Sequence, residues 1–207
     1  MRETTMRIDL HAHSANSPDG FDTIDSLLAS AKKRGLNGIA ATDHNKITLA
    51  HSEMRKGMFL LQGVEAGTKQ GHMLVYNYSG KLHTDAFELV EKVRDENGIT
   101  VVAHPFGMRK DCLRENTFRV KADGIERFNG RSLVSNLACV LNRFAGVGGS
   151  DAHIKEEVGN AYTEFGDCEK IEDIWGCLRK GKFSAKWETK VGTVALAKWK
   201  KIKKMLK

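Results

Sequence analysis

The chain has 207 residues, of which 41% are apolar, and it carries 33 basic against 26 acidic side chains. This length and apolar content are typical of one globular domain and exclude an intrinsically disordered chain. No apolar run approaches the roughly 18 residues that a membrane span needs, and the first residues lack the apolar core of a signal peptide. We therefore expect a cytoplasmic protein without a transmembrane segment.

The excess positive charge lies at the C-terminal end of the sequence. Residues 190–207 contain seven lysines and no acid, which equals the whole excess of 33 − 26 = 7. Residues 1–189 are therefore neutral overall. We expect two parts, a folded body over 1–189 and a basic amphipathic helix or tail over 190–207.

The cysteines do not have the spacing of a zinc-binding module. None of the four forms a C-x-x-C pair, so a zinc ribbon is excluded. In a reducing compartment they are most simply buried small apolar residues. They are Cys112, Cys139, Cys168 and Cys177.

Strand and helix patterns alternate along the body. Strands are predicted over 7–13, 38–44, 59–65, 72–78, 99–105, 124–130 and 147–153, with a short edge strand over 161–166. Helices are predicted over 22–35, 84–98, 132–146 and 170–181, with Asp22 and Asp85 as N-caps of the first two and Gly35 ending the first.

The connections between these elements indicate the fold class. Strands that alternate with helices predict an α/β fold with a parallel sheet, and the absence of a glycine-rich phosphate loop favours a barrel over a Rossmann sheet. The gap between Glu65 and His72 is too short for a parallel crossover. The third and fourth strands should therefore form a hairpin or a sharp return.

Polar side chains cluster at the ends of the predicted strands. In an α/β barrel the C-terminal strand ends form one rim, so these residues should converge although they span 140 positions. His72 begins its strand, and the hairpin would return it to the same rim. The strand-end residues are His11, His13, Asp43, His44, Glu65, His104, Asp151 and His153.

Spacing within the strands separates the candidate ligands from their neighbours. His11 and His13 are two residues apart, so their side chains share one face of the strand. Asp151 and His153 repeat this spacing. Asp43 and His44 are adjacent and should point apart; we expect His44 to be the ligand and Asp43 to orient a ligand or to bind backbone.

Imidazole and carboxylate groups together suit divalent Zn, Mn and Fe. A histidine at a strand end is ordinarily a hydrogen-bonded residue, but six of the eight histidines lie at such ends. His51 and His83 lie elsewhere and are interpreted as surface residues. Nine candidate ligands are too many for one ion and suit two or three, with Glu65 as the bridge: His11, His13, Asp19, His44, Glu65, His72, His104, Asp151 and His153.

These motifs resemble the polymerase and histidinol phosphatase (PHP) family. The matching pieces are HAHS at 11–14, Asp19-Gly20, TDH at 42–44, GVE at 63–65, His72, HP at 104–105 and SDAH at 150–153. The resemblance implies a distorted seven-stranded β/α (TIM-like) barrel that holds two or three ions, usually Mn, Zn or Fe. It also implies a phosphoesterase.

Residue by residue, the resemblance implies three metal sites. One would use His11, His13, Glu65 and Asp151. A second would share Glu65 and add His72 and His104. A third would use Asp19, His44 and His153.

This site predicts a hydrolase that attacks a phosphate ester with a metal-bridging hydroxide. Glu65, Asp151 and His153 are the candidate catalytic residues, and either Asp151 or His153 could protonate the leaving group. Cations in the loops beyond the strands could bind the substrate phosphate; the candidates are Arg109, placed first, Lys110, Arg127 and Arg131.

The substrate and the tail leave alternatives open. The first hypothesis is a phosphoesterase for a phosphorylated small metabolite or a nucleotide. The second is a nuclease or nucleic-acid end-processing phosphatase recruited by Lys198–Lys207. A noncatalytic RNA- or protein-binding barrel is disfavoured because no ligand position is lost.

The tail is expected to pack an apolar stripe on the barrel while its lysines remain in solvent. The alternatives are binding to nucleic acid, to a membrane surface or to a partner helix. The stripe consists of Val194, Ala195, Trp199, Ile202, Met205 and Leu206.

Overall fold

A computed structural model describes residues 5–166 and 168–205 of the chain. The strands are β1 Met6–Ala12, β2 Gly38–Ala41, β3 Glu53–Arg55, β4 Met58–Gly67, β5 His72–Tyr76, β6 Ile99–Val102, β7 Gly124–Asn129, β8 Val147–Gly149, β9 Ala161–Phe165 and β10 Phe183–Trp187. The α-helices are α1 Ile24–Lys33, α2 Ala86–Asp95, α3 Leu133–Leu141, α4 Ile171–Arg179 and α5 Val191–Met205, and a 3-10 helix spans Arg114–Phe118.

The strands form one curved, nearly closed sheet. Its order is β10-β9-β1-β2-β4-β5-β6-β7-β8, and β3 pairs with β4 beside this path. The segment after β8 returns to β1, because the His13 N–H donates to the Ala152 carbonyl and the Ser150 N–H donates to Asp9 Oδ1, each at 2.8 Å. The structure confirms the distorted α/β barrel and adds β3 and β10, which the sequence did not predict.

Strand direction places the predicted ligands at one rim. β1, β2 and β4 are parallel, and so are β6, β7 and β8. β5 is antiparallel to both β4 and β6, with His72 opposite Gly67. The predicted hairpin is therefore present, and it brings the first residue of β5 to the rim where the parallel strands end.

Apolar side chains fill both sides of the sheet. Ile8, Leu10, Leu61, Leu74, Tyr76 and Phe165 belong to one fully buried cluster. On the other face, Leu27 and Leu28 of α1 pack with Ile39 and Leu60. This packing leaves the polar side chains at the rim as the exception that requires an explanation.

Two local predictions were wrong. β9 lies between β1 and β10 and is not an edge strand. The N-cap of α1 is Thr23, whose side chain accepts a hydrogen bond from the Ser26 N–H, while the Asp22 carboxylate accepts from the Lys155 N–H. Asp85 caps α2 as predicted, and Gly35 has the left-handed φ of 72° that ends α1.

The C-terminal helix forms as predicted, but it packs through another face. Among the side chains of α5 that the structure describes, Ala197 is the buried one, whereas Trp199 and Ile202 are 56% and 57% exposed. Polar contacts set this orientation, because Asn160 donates to Thr193 Oγ1 at 2.9 Å and Lys200 pairs with Glu156 at 3.4 Å. Leu206 lies outside the described residues.

Candidate metal centre

Glu65, at the rim end of β4, is at the centre of the polar cluster. Its side chain is 1% exposed. Oε1 lies 2.9 Å from His72 Nδ1, and Oε2 lies 3.0 Å from His44 Nδ1. A single buried carboxylate thus contacts five imidazoles within 3.5 Å, those of His11, His13, His44, His72 and His104.

The end of β1 supplies the first group of ligand atoms. His11 Nε2 and His13 Nε2 are 3.1 Å apart, and both side chains are fully buried. Asp151, directly after β8, places Oδ1 3.8 Å from the former nitrogen and 3.4 Å from the latter. These three residues and Glu65 are the set that the resemblance implies for one metal.

A second group lies on the side of the cluster that faces solvent. His153 Nε2 is 2.9 Å from Asp19 Oδ2, and His44 Nε2 is 3.7 Å from Asp19 Oδ1. The ligand atoms of these three residues and of His13 lie within 4.8 Å of one another. The structure therefore brings Asp19, His44 and His153 together and adds His13 to their surroundings.

The third group includes an aspartate that the sequence did not reveal. His72 and His104 meet at Glu65 Oε1, at 2.9 and 3.1 Å. Asp111 lies beside them, with Oδ2 4.0 Å from His72 Nδ1, the nitrogen that also contacts Glu65. Asp111 follows no strand and belongs to no motif, so only the loop conformation could identify it.

The residues present fit divalent metal ions. Glu65 Oε2 is buried and makes no hydrogen bond of acceptable geometry to any described residue, although imidazole nitrogens surround it. A buried carboxylate oxygen in this state is costly, and a cation held between it and the imidazoles would remove the cost. The nitrogen and oxygen donors match those that Zn, Mn and Fe use.

The electrostatics show how strongly the groups interact. Burial lowers the pKa of His13, but contacts with Asp151 and Glu65 outweigh it and raise the value to about 9. Burial also lowers the pKa of His104, while Cys112 and Glu65 raise it to about 10. Burial raises the pKa of Glu65, yet the histidines hold it well below its ordinary value. Imidazoles so paired with carboxylates must lose protons when a metal binds.

A second layer of side chains holds the ligands in place. Glu126, in the middle of β7, is fully buried and lies 2.9 Å from His11 Nδ1, and its Oε2 accepts from the His104 N–H at 2.8 Å. Glu126 is not among the residues predicted from the sequence, although a glutamate within a short strand is a signal of a functional role. Cys112 Sγ lies 3.4 Å from His104 Nδ1. Such contacts fix ring orientation and tautomer in metal sites.

Asp43 takes one of the two roles open to it from the sequence. Its Oδ1 accepts from the Ser14 N–H at 2.7 Å, and its Oδ2 accepts from the Thr48 hydroxyl at 2.6 Å. The carboxylate therefore binds the backbone just after His13 and fixes the turn that follows β1.

The four candidate phosphate-binding cations lie in different surroundings. Arg131 is half-buried, and its guanidinium contacts His153 Nδ1 at 2.5 Å. Arg109 is paired with Asp111, and Asp111 lies between it and the candidate ligand His72. Arg127 lies over the Phe128 ring at 5.0 Å, and Lys110 is exposed. The structure thus puts Arg131, and not the Arg109 favoured from sequence, directly against a ligand.

Comparisons with known families match most of the barrel. The PHP domain model matches residues 9–116, which is more than half of the chain, and a PHP-associated model matches residues 141–183. An uncharacterised protein of Methanocaldococcus jannaschii is 30% identical over 82% of this chain and 75% of its own length.

Solved structures show the same fold. A two-domain protein from Bacteroides vulgatus, which contains a predicted PHP-like metal-dependent phosphoesterase, has a TM-score of 0.68 at 18% identity over 89% of this chain. Endonuclease Q, bound to a 27-mer duplex with an abasic lesion, has a TM-score of 0.67 at 19% identity over 87% of this chain. The match covers 65% and 58% of those two chains. The fold, the ordered motifs and the two family matches agree, and the chain belongs to the PHP domain family.

Proposed function

We propose that this protein is a metal-dependent phosphoesterase that hydrolyses a phosphate ester of a small metabolite or a nucleotide. The observation that carries the proposal is the convergence of eight candidate ligand residues around the ninth, the buried Glu65, whose Oε2 has no hydrogen bond among the described residues. Membership of the PHP family supports the same reaction class.

The proposed ligands divide into three groups that share Glu65 or lie beside it. His11, His13 and Asp151 would hold one ion, His72 and His104 a second, and Asp19, His44 and His153 a third. When bound, such ions would supply an acidified water and would polarise the phosphoryl oxygens. The two oxygens of Glu65 face different histidines, which suits a bridging carboxylate.

The pKa values of Asp151 and His153 bear on proton transfer to the leaving group. The histidines and Arg131 hold the pKa of Asp151 well below its ordinary value although burial raises it, so this carboxyl carries no proton near neutral pH. Burial and the charge of His13 lower the pKa of His153 below its ordinary value, so this imidazole is largely neutral near pH 7, which is the form that binds a metal. Neither group therefore holds a proton for the leaving group in the metal-free protein, so we propose both as metal ligands, with Arg131 beside His153 to bind a phosphoryl oxygen.

A substrate screen tests the proposal. Protein treated with chelator and then reloaded with Mn, Zn or Fe should release phosphate from some phosphomonoesters, and the Glu65→Gln variant should release none. The proposal is wrong if the wild type binds no divalent metal by elemental analysis, or if it binds metal and cleaves no phosphate ester.

One observation favours a second function, action on nucleic acid. Lys201 of α5 places Nζ 3.1 Å from Asp19 Oδ2, so the basic helix reaches the proposed metal centre. A nucleic-acid strand held by these lysines would pass next to the proposed metal ligands. Endonuclease Q, which has the same fold, is bound to a DNA duplex in its solved structure.

The double variant Lys200→Ala/Lys201→Ala separates this function from the first. It should weaken binding of single-stranded oligonucleotides in a salt-dependent way, whereas Lys32→Ala/Lys33→Ala on α1, which removes the same charge, should not. Equal binding by both variants would contradict a role for α5. A sharp loss of thermal stability on removing residues 190–207 would instead indicate a packing role.

A further inference from the structure

A pocket of about 240 Å³ opens next to the proposed metal centre. It lies between the end of β7, the start of α3, the end of β10 and the first turn of α5. Six of its lining residues carry the argument: Asn129, Arg131, Leu133, Trp187, Thr189 and Val194.

Two of these residues also touch the ligand set. Asn129 Nδ2 lies 3.4 Å from Asp151 Oδ2, and the Arg131 guanidinium contacts His153 Nδ1 at 2.5 Å. A phosphate at the metal centre would therefore lie within reach of a group seated in the pocket. Arg131 stands at the boundary between the two and could contact both parts of one substrate.

The wall of the pocket is apolar and held in a fixed orientation. The Trp187 ring stacks on Phe128 with centroids 5.8 Å apart, and its Nε1–H donates to Thr189 Oγ1 at 2.7 Å. The indole is nevertheless 36% exposed, and Leu133 is 57% exposed. An aromatic side chain fixed on one face and open on the other is a stacking surface.

We propose that this pocket binds a planar heteroaromatic ring on the leaving group of the phosphate ester, stacked on Trp187 while Arg131 contacts the phosphate. The inference rests on the proposed phosphoesterase function and narrows its substrate class to ring-bearing esters. The pocket is smaller than the roughly 300–1,000 Å³ of sites for drug-sized ligands, so it fits one ring system and not a longer chain.

Two matched substrates and two tryptophans test the ring pocket. 5′-AMP and ribose 5-phosphate share the sugar and the phosphate and differ only in the base. The wild type should prefer 5′-AMP in kcat/KM, and Trp187→Ala should lose about 10-fold or more of that preference. Trp187→Phe, which keeps a ring, should retain most of it. Trp199→Ala, which removes an exposed indole outside the pocket, should match the wild type.

A binding measurement keeps the ring pocket separate from the reaction. Isothermal titration with adenosine and cytidine, which carry no phosphate, should show binding that Trp187→Ala weakens and Trp199→Ala does not. If no phosphate ester is hydrolysed, the proposed function is wrong, but this titration still shows whether the pocket binds a heteroaromatic ring. Absent nucleoside binding by the wild type, or an unchanged preference in Trp187→Ala, overturns the inference. The inference is also overturned if Trp187→Ala changes only the self-association of the protein, because the surface around Trp187 would then be a protein contact.

Discussion

His104 and Asp151 have backbone conformations that residues with a side chain rarely adopt. Their φ angles are 30° and 54°, and such a residue costs on the order of 1–3 kcal/mol. Both follow the rim ends of strands, and both side chains point into the ligand cluster. Strain of this kind persists where the surrounding structure requires it, and here it directs His104 toward Glu65 and Asp151 toward His11 and His13.

The variant His13→Ala tests the ligand role at a single residue. His13 lies within 3.4 Å of Glu65 Oε2, Asp151 Oδ1 and His11 Nε2, so its removal should lower the bound metal by at least one ion and reduce hydrolysis more than 100-fold. The barrel should stay folded because the imidazole contributes to the rim and not to the apolar core.

His51→Ala provides the matched control, because His51 is exposed. Elemental analysis and circular dichroism should show wild-type metal content and fold for this variant. Full metal content in His13→Ala would contradict the assignment.

Glu126→Gln tests the layer behind the ligands. The amide retains the shape of the side chain but loses the charge that orients His11, so metal affinity should fall by about 10- to 100-fold with the fold unchanged. A metal titration followed by calorimetry measures the change. An affinity within 2-fold of the wild type would show that the contact is only structural.

At this scale the sequence pointed to the candidate ligands but not to the side chains that contact them from behind. Each candidate ligand except Asp19 closes or opens a predicted strand, so the barrel topology alone brings it to the rim, whereas Asp19 lies in the turn after β1. Glu126 contacts His11, which is 115 positions away in the sequence. Asp111 reaches His72 only through the conformation of its loop. No local pattern encodes such a pairing.

Among the elements, β8 brings the two ends of the sheet together, and glycine makes the close approach possible. A Cβ at Gly149 would lie 2.4 Å from His11 Cβ and 2.8 Å from His11 N. The backbone of β8 therefore packs directly on β1 at the residue that carries a ligand.

Gly149→Ala should destabilise the protein by about 1–3 kcal/mol and displace His11 from the ligand set. Gly176→Ala in α4 is the control, because nothing lies within 4 Å of the added Cβ. Urea denaturation and metal titration should show losses of stability and metal affinity in the first variant only. Equal effects in both would refute the packing argument.

The sequence predicted the elements that have a strong apolar period and missed those that do not. Most residues of β3 and β10 are partly exposed, so neither segment shows a clear strand pattern. Helix α5 has the right period for a helix, but its orientation depends on polar partners at the rim, among them Asp19. That is why its predicted apolar stripe is turned outward at Trp199 and Ile202.

In the whole molecule, the charged groups at the rim make the stability of the fold and the binding of metal depend on the protonation of the histidines. Burial lowers the pKa of His13, but carboxylate contacts raise it to about 9, above the unfolded value of about 6.5. In the metal-free protein this pairing stabilises the fold fully below pH 6.5 and is lost as the pH rises toward 9. His104, with a pKa of about 10, acts in the same direction.

Chelator-treated protein should therefore be less stable at pH 9 than at pH 6.5, and metal binding at pH 7 should release protons. Denaturation at the two pH values and calorimetry in buffers of different ionisation enthalpy measure these effects. Greater stability of the metal-free protein at pH 9, or proton uptake on metal binding, would contradict the pairing.

At the same scale, no helix among the described residues is both long and apolar enough to cross a membrane.

We propose that Glu65 joins two or three metal ions at one rim of the barrel. Anomalous X-ray diffraction from crystals grown with Mn would locate these ions. We expect at least two anomalous peaks, each within bonding distance of the proposed histidine or aspartate ligands and with Glu65 between two of them. A single peak remote from Glu65, or no peak at the rim, would contradict it.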